Sequence, residues 1–299
     1  MKYILLLFTL CINIVVFSQE KKIHIVNNDH KEIPYVNVVV DEKEGIGFIS
    51  NSNGMVNIDI KDFAKYANKN IEISCIGYQS IVISYNEFIS KDTIILNEAT
   101  LQIPEISVVY KKHKSKYIGN HRIKGYPGYY HCKQGSEVAS FIKPDINTSH
   151  IFKNIQVYIS NRGVPNSDFR IIIYFATNDS IPKPGSIIFN KNLIGNSIKG
   201  NEWVSFDILK YNIKIPTNGF FVSVLWLYNA KGYTKTIKNK LQKNIEYNLY
   251  GQVLKAKCPE DSLYINYVWS RNFLFKKEWV NDKNLMIPII KCEIIKDNL

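Results

Sequence analysis

Tryptophans beside basic residues are the feature of this sequence best suited to ligand binding. Trp269 and Trp279 flank a polar, loop-like stretch. That stretch carries Arg271, Lys276 and Lys277. An indole ring combines a large apolar face with a polar N–H group, which suits stacking against sugar rings. We therefore predict Trp269 and Trp279 as surface ligand-binding residues, with packing in a core as the competing interpretation for each.

A lysine-rich segment at 231–243 is the second candidate. It contains Tyr233 and is the densest basic run in the second half of the chain. Clustered cations attract polyanions, so Lys238 and Lys240 are predicted contacts to an anion or an acidic glycan. The alternative is a solvated insertion between strands.

Motifs for catalysis, metals and cofactors are missing from the sequence. No histidine is followed by glutamate, as a zinc-peptidase helix would require, and neither a nucleophile elbow nor a phosphate-binding glycine loop occurs. His131 and Cys132 are adjacent, but neighbouring residues of a strand point to opposite faces. We predict no catalytic residue, no metal site and no cofactor. Paired carboxylates distant in sequence leave a glycoside hydrolase open as an alternative.

Composition indicates a globular protein. The chain has 299 residues, a formal charge of +12 and 45% hydrophobic residues, which excludes a disordered or collagen-like chain and favours two domains. Lysine and asparagine are spread along the whole sequence. The charge therefore indicates solubility and weak anion attraction, and nucleic-acid binding is not predicted.

The first residues predict export. Lys2 precedes an apolar run over residues 3–17, followed by Ser18. This pattern is typical of a secretory signal peptide over residues 1–18 and is too short for a membrane span. No later stretch reaches membrane-spanning length. We expect an exported protein in the periplasm, on the outer-membrane surface or in the medium.

The cysteines after this leader are Cys75, Cys132, Cys258 and Cys292. Their spacing gives no zinc motif. Cys75 sits in a strand-like run and is predicted to be buried. Since an exported protein can form disulfides, a bridge between Cys258 and Cys292 is a possibility that spacing does not decide.

Residues 19–110 predict a β-sandwich. Short β-branched runs alternate with turns, notably at Asn53-Gly54 and Ile76-Gly77. One helical turn is predicted over residues 61–66. Regularly spaced strands of this kind indicate a small all-β domain.

Three segments of this domain carry a resemblance to a known family. IPYVNV at 33–38, SNSNGMV at 50–56 and ISCIGY at 73–78 follow one another. They resemble the PL-x-x-V-x-V strand, the TD-x-x-G-x-F turn and the SYIGY strand end of the carboxypeptidase regulatory-like domain. Ser50-Asn51 stands where Thr-Asp is usual. The resemblance implies a non-catalytic, prealbumin-like Greek-key sandwich, found in secreted and outer-membrane proteins of the Bacteroidetes type.

Residues 111–134 predict a connection between domains. The segment is basic, without acids up to Lys124, and then reads Gly125-Tyr126-Pro127-Gly128. Polar stretches ending in Gly and Pro are typical of exposed linkers. Contact with an anionic polysaccharide is the alternative.

Residues 135–299 predict a larger, jelly-roll-like β-sandwich. Ile155, Val157 and Ile159 alternate with polar residues, as expected of strands with one apolar face. Trp203 and Trp226 are predicted to pack in its core, and residues 235–246 are the one candidate helix. Its segments resemble an uncharacterised jelly-roll region of secreted proteins, with an outline similar to carbohydrate-binding modules.

These features favour a non-enzymatic, exported two-domain β protein that binds a surface glycan or an envelope protein. Its expected partners are a glycan, an anionic envelope component or an outer-membrane protein. The alternatives are a polysaccharide or peptide hydrolase with its site in the second domain, and a fragment of a transport receptor.

Overall fold

The chain is an all-β protein, which confirms the predicted fold class. The computed structural model describes residues 20–41, 46–99, 114–189, 191–227, 234–238, 246–260, 267–272, 276–283 and 286–297. The signal peptide predicted at 1–18 lies outside these residues. Among the residues described, no helix is long and apolar enough to cross a membrane.

The first unit, within residues 20–99, has strands in two sheets that pack face to face. The strands are β1 (Glu20–Val26), β2 (Asn37–Asp41), β3 (Ile46–Ile49), β4 (Met55–Asp59), β5 (Asn70–Ser74), β6 (Ile81–Ser84) and β7 (Thr93–Ile95). One sheet has the order β4–β1–β7 and the other β3–β2–β5–β6. Ile23, Val38 and Ile71 are among the side chains buried between them. The unit is the sandwich that the sequence predicts.

Two short helices, α1 (Ile60–Phe63) and α2 (Tyr85–Ser90), lie between strands of this unit. Asp59 begins α1 because its carboxylate accepts hydrogen bonds from backbone N–H groups of the first turn. Phe63 of α1 is buried and stacks on Tyr85 of α2, with ring centroids 5.2 Å apart. The helical turn expected here is confirmed.

The turn before β4 is built as its sequence predicts. The Asn51 side chain accepts hydrogen bonds from the N–H groups of Asn53 and Met55. Gly54 has φ +68°, and a Cβ at this position would lie 2.5 Å from the carbonyl oxygen of Ile25. Only glycine fits this backbone and this close approach.

The second unit, from residue 114 onward, has two larger sheets. Its strands are β8 (Ser115–Gly119), β9 (Gly125–Cys132), β10 (Ser136–Ile142), β11 (His150–Ser160), β12 (Phe169–Ala176), β13 (Pro184–Ile187), β14 (Leu193–Gly195), β15 (Glu202–Asp207), β16 (Phe220–Trp226), β17 (Thr234–Lys238), β18 (Glu246–Pro259), β19 (Val268–Asn272), β20 (Lys276–Asn281), β21 (Ile287–Pro288) and β22 (Ile290–Lys296). The central sheet has the order β13–β12–β16–β10–β19–β20, with β14 beside β12. The outer sheet has the order β17–β18–β11–β22–β8, with β15 beside β11 and both β9 and β21 beside β18.

A single buried cluster fills the space between the central and outer sheets. Ile155, Val157 and Ile159 of β11 point into it, as their alternation predicts. Ile173 of β12 meets them from the central sheet, and Trp226 is fully buried. This cluster makes the second unit a β-sandwich, and it confirms the predicted core position of Trp226.

The central sheet is buried on its other face as well. Tyr35 and Ile49 of the first unit pack against a second apolar cluster there, which includes Tyr174 and Phe221. Every residue of Phe220–Trp226 is consequently buried, whichever face it points to. The molecule thus stacks its first unit, the central sheet and the outer sheet in sequence.

Arg170 fastens the first unit to the central sheet. Its guanidinium is buried and donates hydrogen bonds to the carbonyl oxygens of Pro34, at 3.3 Å, and Tyr35, at 3.1 Å. Its Nε donates to Asn192 Oδ1 at 2.6 Å. The Tyr35 hydroxyl in turn donates to Asp168. A buried charge satisfied by carbonyl oxygens of another unit fixes how the two units dock.

Two of the predictions about chain segments are wrong. The supposed linker, 111–134, contributes β8 and β9 to the outer sheet, where β8 pairs with β22 and β9 pairs with β18. Because β8 lies at a sheet edge, Lys116 faces solvent, and the strand has the polar composition of a connector. The candidate helix at 235–246 is wrong at its described residues, since 235–238 belong to the strand β17 and Glu246 begins β18, and residues 239–245 lie outside the described residues.

The cysteines among the described residues are all free thiols. Cys292 is buried in the core of the second unit, and Cys258 is half-buried in β18. The bridge considered between them is not formed. Cys75 is buried, as predicted.

Candidate functional site

Trp269 and Trp279 lie together on β19 and β20, on the face of the central sheet that meets the first unit. Both are half-buried against the apolar cluster of that face. The Trp279 ring meets the Tyr174 ring edge-on, with centroids 5.5 Å apart, and the Arg271 guanidinium lies 4.2 Å from the Trp279 centroid. Trp279 is therefore packed against both Tyr174 and Arg271.

Arg271 belongs to a buried polar network beside these tryptophans. It donates hydrogen bonds to Glu137, at 2.8 Å, and to the Tyr174 hydroxyl, also at 2.8 Å. Glu137 is fully buried and also accepts from Tyr174. Burial and the nearby Glu137 carboxylate raise the pKa of Tyr174, so this hydroxyl stays protonated. The network stabilises the sheet. Because Arg271 donates its hydrogen bonds within this network, its role is structural.

The two lysines predicted as ligands are not placed beside these tryptophans. Lys238 ends β17, in the outer sheet, where it is in register with Glu246. Lys240 lies outside the described residues. The tryptophans, by contrast, lie in the central sheet.

His131 and Cys132 do not form a nucleophilic pair. His131 is exposed, whereas Cys132 is half-buried, as expected of neighbours on the strand β9. Burial raises the pKa of the Cys132 thiol to about 12, so it is not a thiolate at neutral pH. No group of three metal-ligating side chains occurs within the part of the chain that the structure describes.

A continuous band of rings and cations crosses the solvent face of the outer sheet. We call its members the aromatic band: Tyr117, Lys291, Trp203, Tyr158 and Lys255. The Lys291 ammonium lies 4.8 Å from the Tyr117 centroid and 4.1 Å from the Trp203 centroid. Trp203 meets Tyr158 edge-on at 5.2 Å, and the Lys255 ammonium lies 5.2 Å from the Tyr158 centroid. Each contact is within the range of a cation–π or aromatic interaction.

Strand alternation places the band outside the core. Val157 of β11 points inward, so its neighbours Gln156 and Tyr158 point outward. Trp203 faces Tyr158 across the β11–β15 pair, and Lys291 faces Gln156 across the β11–β22 pair. Since β11 lies between β22 and β15, the Lys291 side chain crosses β11 to reach the ring of Trp203.

Two amide oxygens lie beneath this band with unused hydrogen-bonding capacity. Gln156 Oε1 and Asn154 Oδ1 are buried and have no hydrogen-bond partner among the described residues. Their amide nitrogens are used, because Gln156 Nε2 donates to Ser205 at 3.3 Å and Asn154 Nδ2 donates to Glu293 at 3.2 Å. Both oxygens are therefore buried acceptors on the strand that carries Tyr158.

The electrostatics of the band are positive. Glu293 lies beside Tyr117, but its carboxylate is paired with the Lys153 ammonium at 2.7 Å. Burial alone would raise the pKa of Glu293, but the hydrogen bond and charge of Lys153 hold it below its usual value. Because Lys153 compensates the negative charge of Glu293, the ammonium groups of Lys291 and Lys255 give the band a positive charge.

Trp203 is the candidate site residue that sequence reasoning missed, since the sequence analysis predicted it to pack in the core. In the structure Phe206 is buried, whereas Trp203 is half-buried on the opposite face. The signal was present as the alternation of Trp203 and Ser205 with the apolar residues Val204 and Phe206.

Comparison with known proteins places the chain in no family. No family model matches it, and no curated protein matches it. Among solved structures it is similar to chains from the infectious bursal disease virus Gt strain, at TM-score 0.24 and 10% identity, and Gx strain, at TM-score 0.23 and 9% identity. The match covers 93% of this chain in both cases, and the chain spans 60% and 59% of the viral chains.

Proposed function

We propose that this protein is a non-catalytic carbohydrate-binding protein that holds a glycan along the aromatic band. The proposal depends on one observation. Tyr117, Lys291, Trp203 and Tyr158 form a continuous row of contacts across one solvent-facing sheet. Ring faces take the apolar faces of sugars, while ammonium groups meet their hydroxyls.

The extent of the band favours an oligomer over a single sugar. Tyr117 and Trp203 lie on β8 and β15, which are separated by β22 and β11. Three strand spacings correspond to roughly 14 Å. An open sheet surface of that length accommodates an extended chain of several sugar units.

The predicted signal peptide and the resemblance of the first unit to the carboxypeptidase regulatory-like domain support the same proposal. Both are typical of exported envelope proteins, so we place the protein in the periplasm, on the outer-membrane surface or in the medium. A surface glycan is then an available partner. An envelope protein as partner is the rival outcome of the test below.

The described cavities give the hydrolase alternative no support. Three cavities are each lined by one carboxylate, namely Glu260, Glu278 and Glu202. Glycoside hydrolysis normally needs two carboxyl groups facing each other across the substrate. The described residues offer a better account of binding than of catalysis.

The test is a glycan array followed by titration calorimetry on the best ligand. Trp203→Ala is expected to weaken binding about tenfold or more, because it removes the central ring of the band. Tyr126→Ala is the matched control, since Tyr126 is an exposed aromatic residue, 67% accessible, outside the band.

Unchanged binding by Trp203→Ala would overturn the proposal. So would a blank array combined with capture of an envelope protein that does not depend on Trp203.

A further inference from the structure

A basic cavity lies at the end of the aromatic band. Its volume is about 520 Å³, and its lining includes Arg122, Lys124 and Lys143. Tyr267 contributes an aromatic wall, and Glu260 is its one lining carboxylate among the described residues. The charged side chains of this lining therefore leave an excess of positive charge.

The three cations of the cavity are not neutralised by the described protein. Arg122, Lys124 and Lys143 are all exposed and form no ion pair within the described ranges. Like charges brought to one cavity repel one another, and an anion bound between them relieves that repulsion. A guanidinium together with ammonium groups is the donor set that proteins use for carboxylate, sulfate and phosphate groups.

The wall that carries Arg122 is held in place by packing. Arg122 ends a short 3-10 helix that follows Gly119. Gly119 has φ +131°, and a Cβ there would lie 2.4 Å from the carbonyl oxygen of Ile290. The buried Asn120 donates a hydrogen bond to Ser140 Oγ at 2.7 Å, which ties this wall to β10, the strand that precedes Lys143. The cations are thus mounted on two sheets fixed to each other.

The cavity and the aromatic band share residues of one short segment. Gly119 lines the cavity and is also in register with Lys291 of the band. His121, next to Arg122, meets the Tyr117 ring at a centroid distance of 6.5 Å. The cavity and the band therefore meet at the segment that follows β8.

We infer that the cavity takes the acidic substituent of a polysaccharide whose sugar rings lie on the aromatic band. The inference rests on the proposed function and narrows the ligand to glycans that carry carboxylate, sulfate or phosphate groups. Arg122 and Lys143 hold the oxyanion, and Lys124 adds to the local positive potential.

The test compares a carboxylated polysaccharide with its carboxyl-reduced form, using the full chain. Arg122→Gln combined with Lys143→Gln is expected to weaken binding of the carboxylated form about tenfold or more and to leave the reduced form unchanged. It should also make the affinity less dependent on salt. Lys133→Gln combined with Lys210→Gln removes the same charge from exposed positions outside the cavity and should have a much smaller effect.

Two results would overturn the inference. One is an equal loss of affinity for both polymers, and the other is an equal loss in the control variant. Trp203→Ala separates the two proposals, because it should weaken binding of both polymers.

If neither polymer binds, the proposed function fails and the cavity is tested by itself. The full chain is then titrated with glucuronate, inorganic sulfate and inorganic phosphate while the arginine Nε–H resonances are followed by NMR. Shifts that vanish in Arg122→Gln would establish an anion site independent of the band. No shift with any of the three anions would overturn the cavity as an anion site.

Discussion

Lys291 shows how one side chain sets the character of the binding face. Its ammonium lies 4.8 Å from the Tyr117 centroid and 4.1 Å from the Trp203 centroid, so one cation contacts both rings. The same side chain crosses β11 at Gln156, whose carbonyl oxygen is unpartnered among the described residues.

His121 gives a pH prediction at the same scale. Burial first, then the charges of Arg122 and Lys291, lower its pKa below the ordinary 6.5. As pH falls below that value, the unfolded chain binds this proton before the folded chain does, so folding stability should decrease. Urea unfolding between about pH 5 and pH 7.5 should show that slope in the wild type and a smaller slope in His121→Gln.

The control for this experiment is His131→Gln, since His131 is exposed on β9. It should keep the wild-type slope. Equal pH dependence of His121→Gln and the wild type would contradict the prediction.

At the scale of elements, the alternation of apolar and polar residues predicted a strand correctly where one of its faces was buried and the other was exposed to solvent. Ile155, Val157 and Ile159 predicted the inward face of β11, and all three lie in the core of the second unit. Alternation failed for β8, because an edge strand whose first three residues, including Lys116, are exposed has the composition of a linker. The sequence did not predict the aromatic band either. Its residues come from five strands, and only the register of those strands brings them together.

Gly119 tests whether β8 is a true member of the outer sheet. Gly119→Ala should lower the free energy of unfolding by about 1–3 kcal/mol, because the new Cβ requires strained backbone and meets the carbonyl of Ile290. Urea unfolding measures this change. Gly128→Ala is the control, since its nearest contact is the flexible Met286 side chain at 3.3 Å. Equal effects of the two substitutions would argue against the pairing of β8 with β22.

At the scale of the whole molecule, the two predicted sandwiches exist, but they are not independent. The first unit covers the central sheet, and the contact is both apolar, through Tyr35 and Ile49, and polar, through Arg170. Sequence could not reveal this docking, because a buried arginine in β12 has no partner within its own segment. The face left open by this stacking is the solvent side of the outer sheet, where the aromatic band lies.

Arg170→Met is the corresponding prediction. It removes the hydrogen bonds that Arg170 donates to the carbonyl oxygens of Pro34 and Tyr35 and should cost about 2–3 kcal/mol of stability. Calorimetry is expected to show one unfolding transition for the wild type and an earlier, separate transition of the first unit in the variant. Arg162→Met, which removes an exposed arginine packed on Tyr129, should preserve the single transition. A single, unshifted transition in Arg170→Met would contradict the docking role.

The strand Phe220–Trp226 has no face suited to water, because both of its sides are buried. Such a segment is prone to aggregate until the rest of the protein has folded over both of its faces. Synthesis proceeds from the amino terminus, so the first unit is complete before this strand emerges. We therefore expect the first unit to assist the folding of the second. It covers one face of the central sheet as that sheet forms, while β11 and β22 cover the other face.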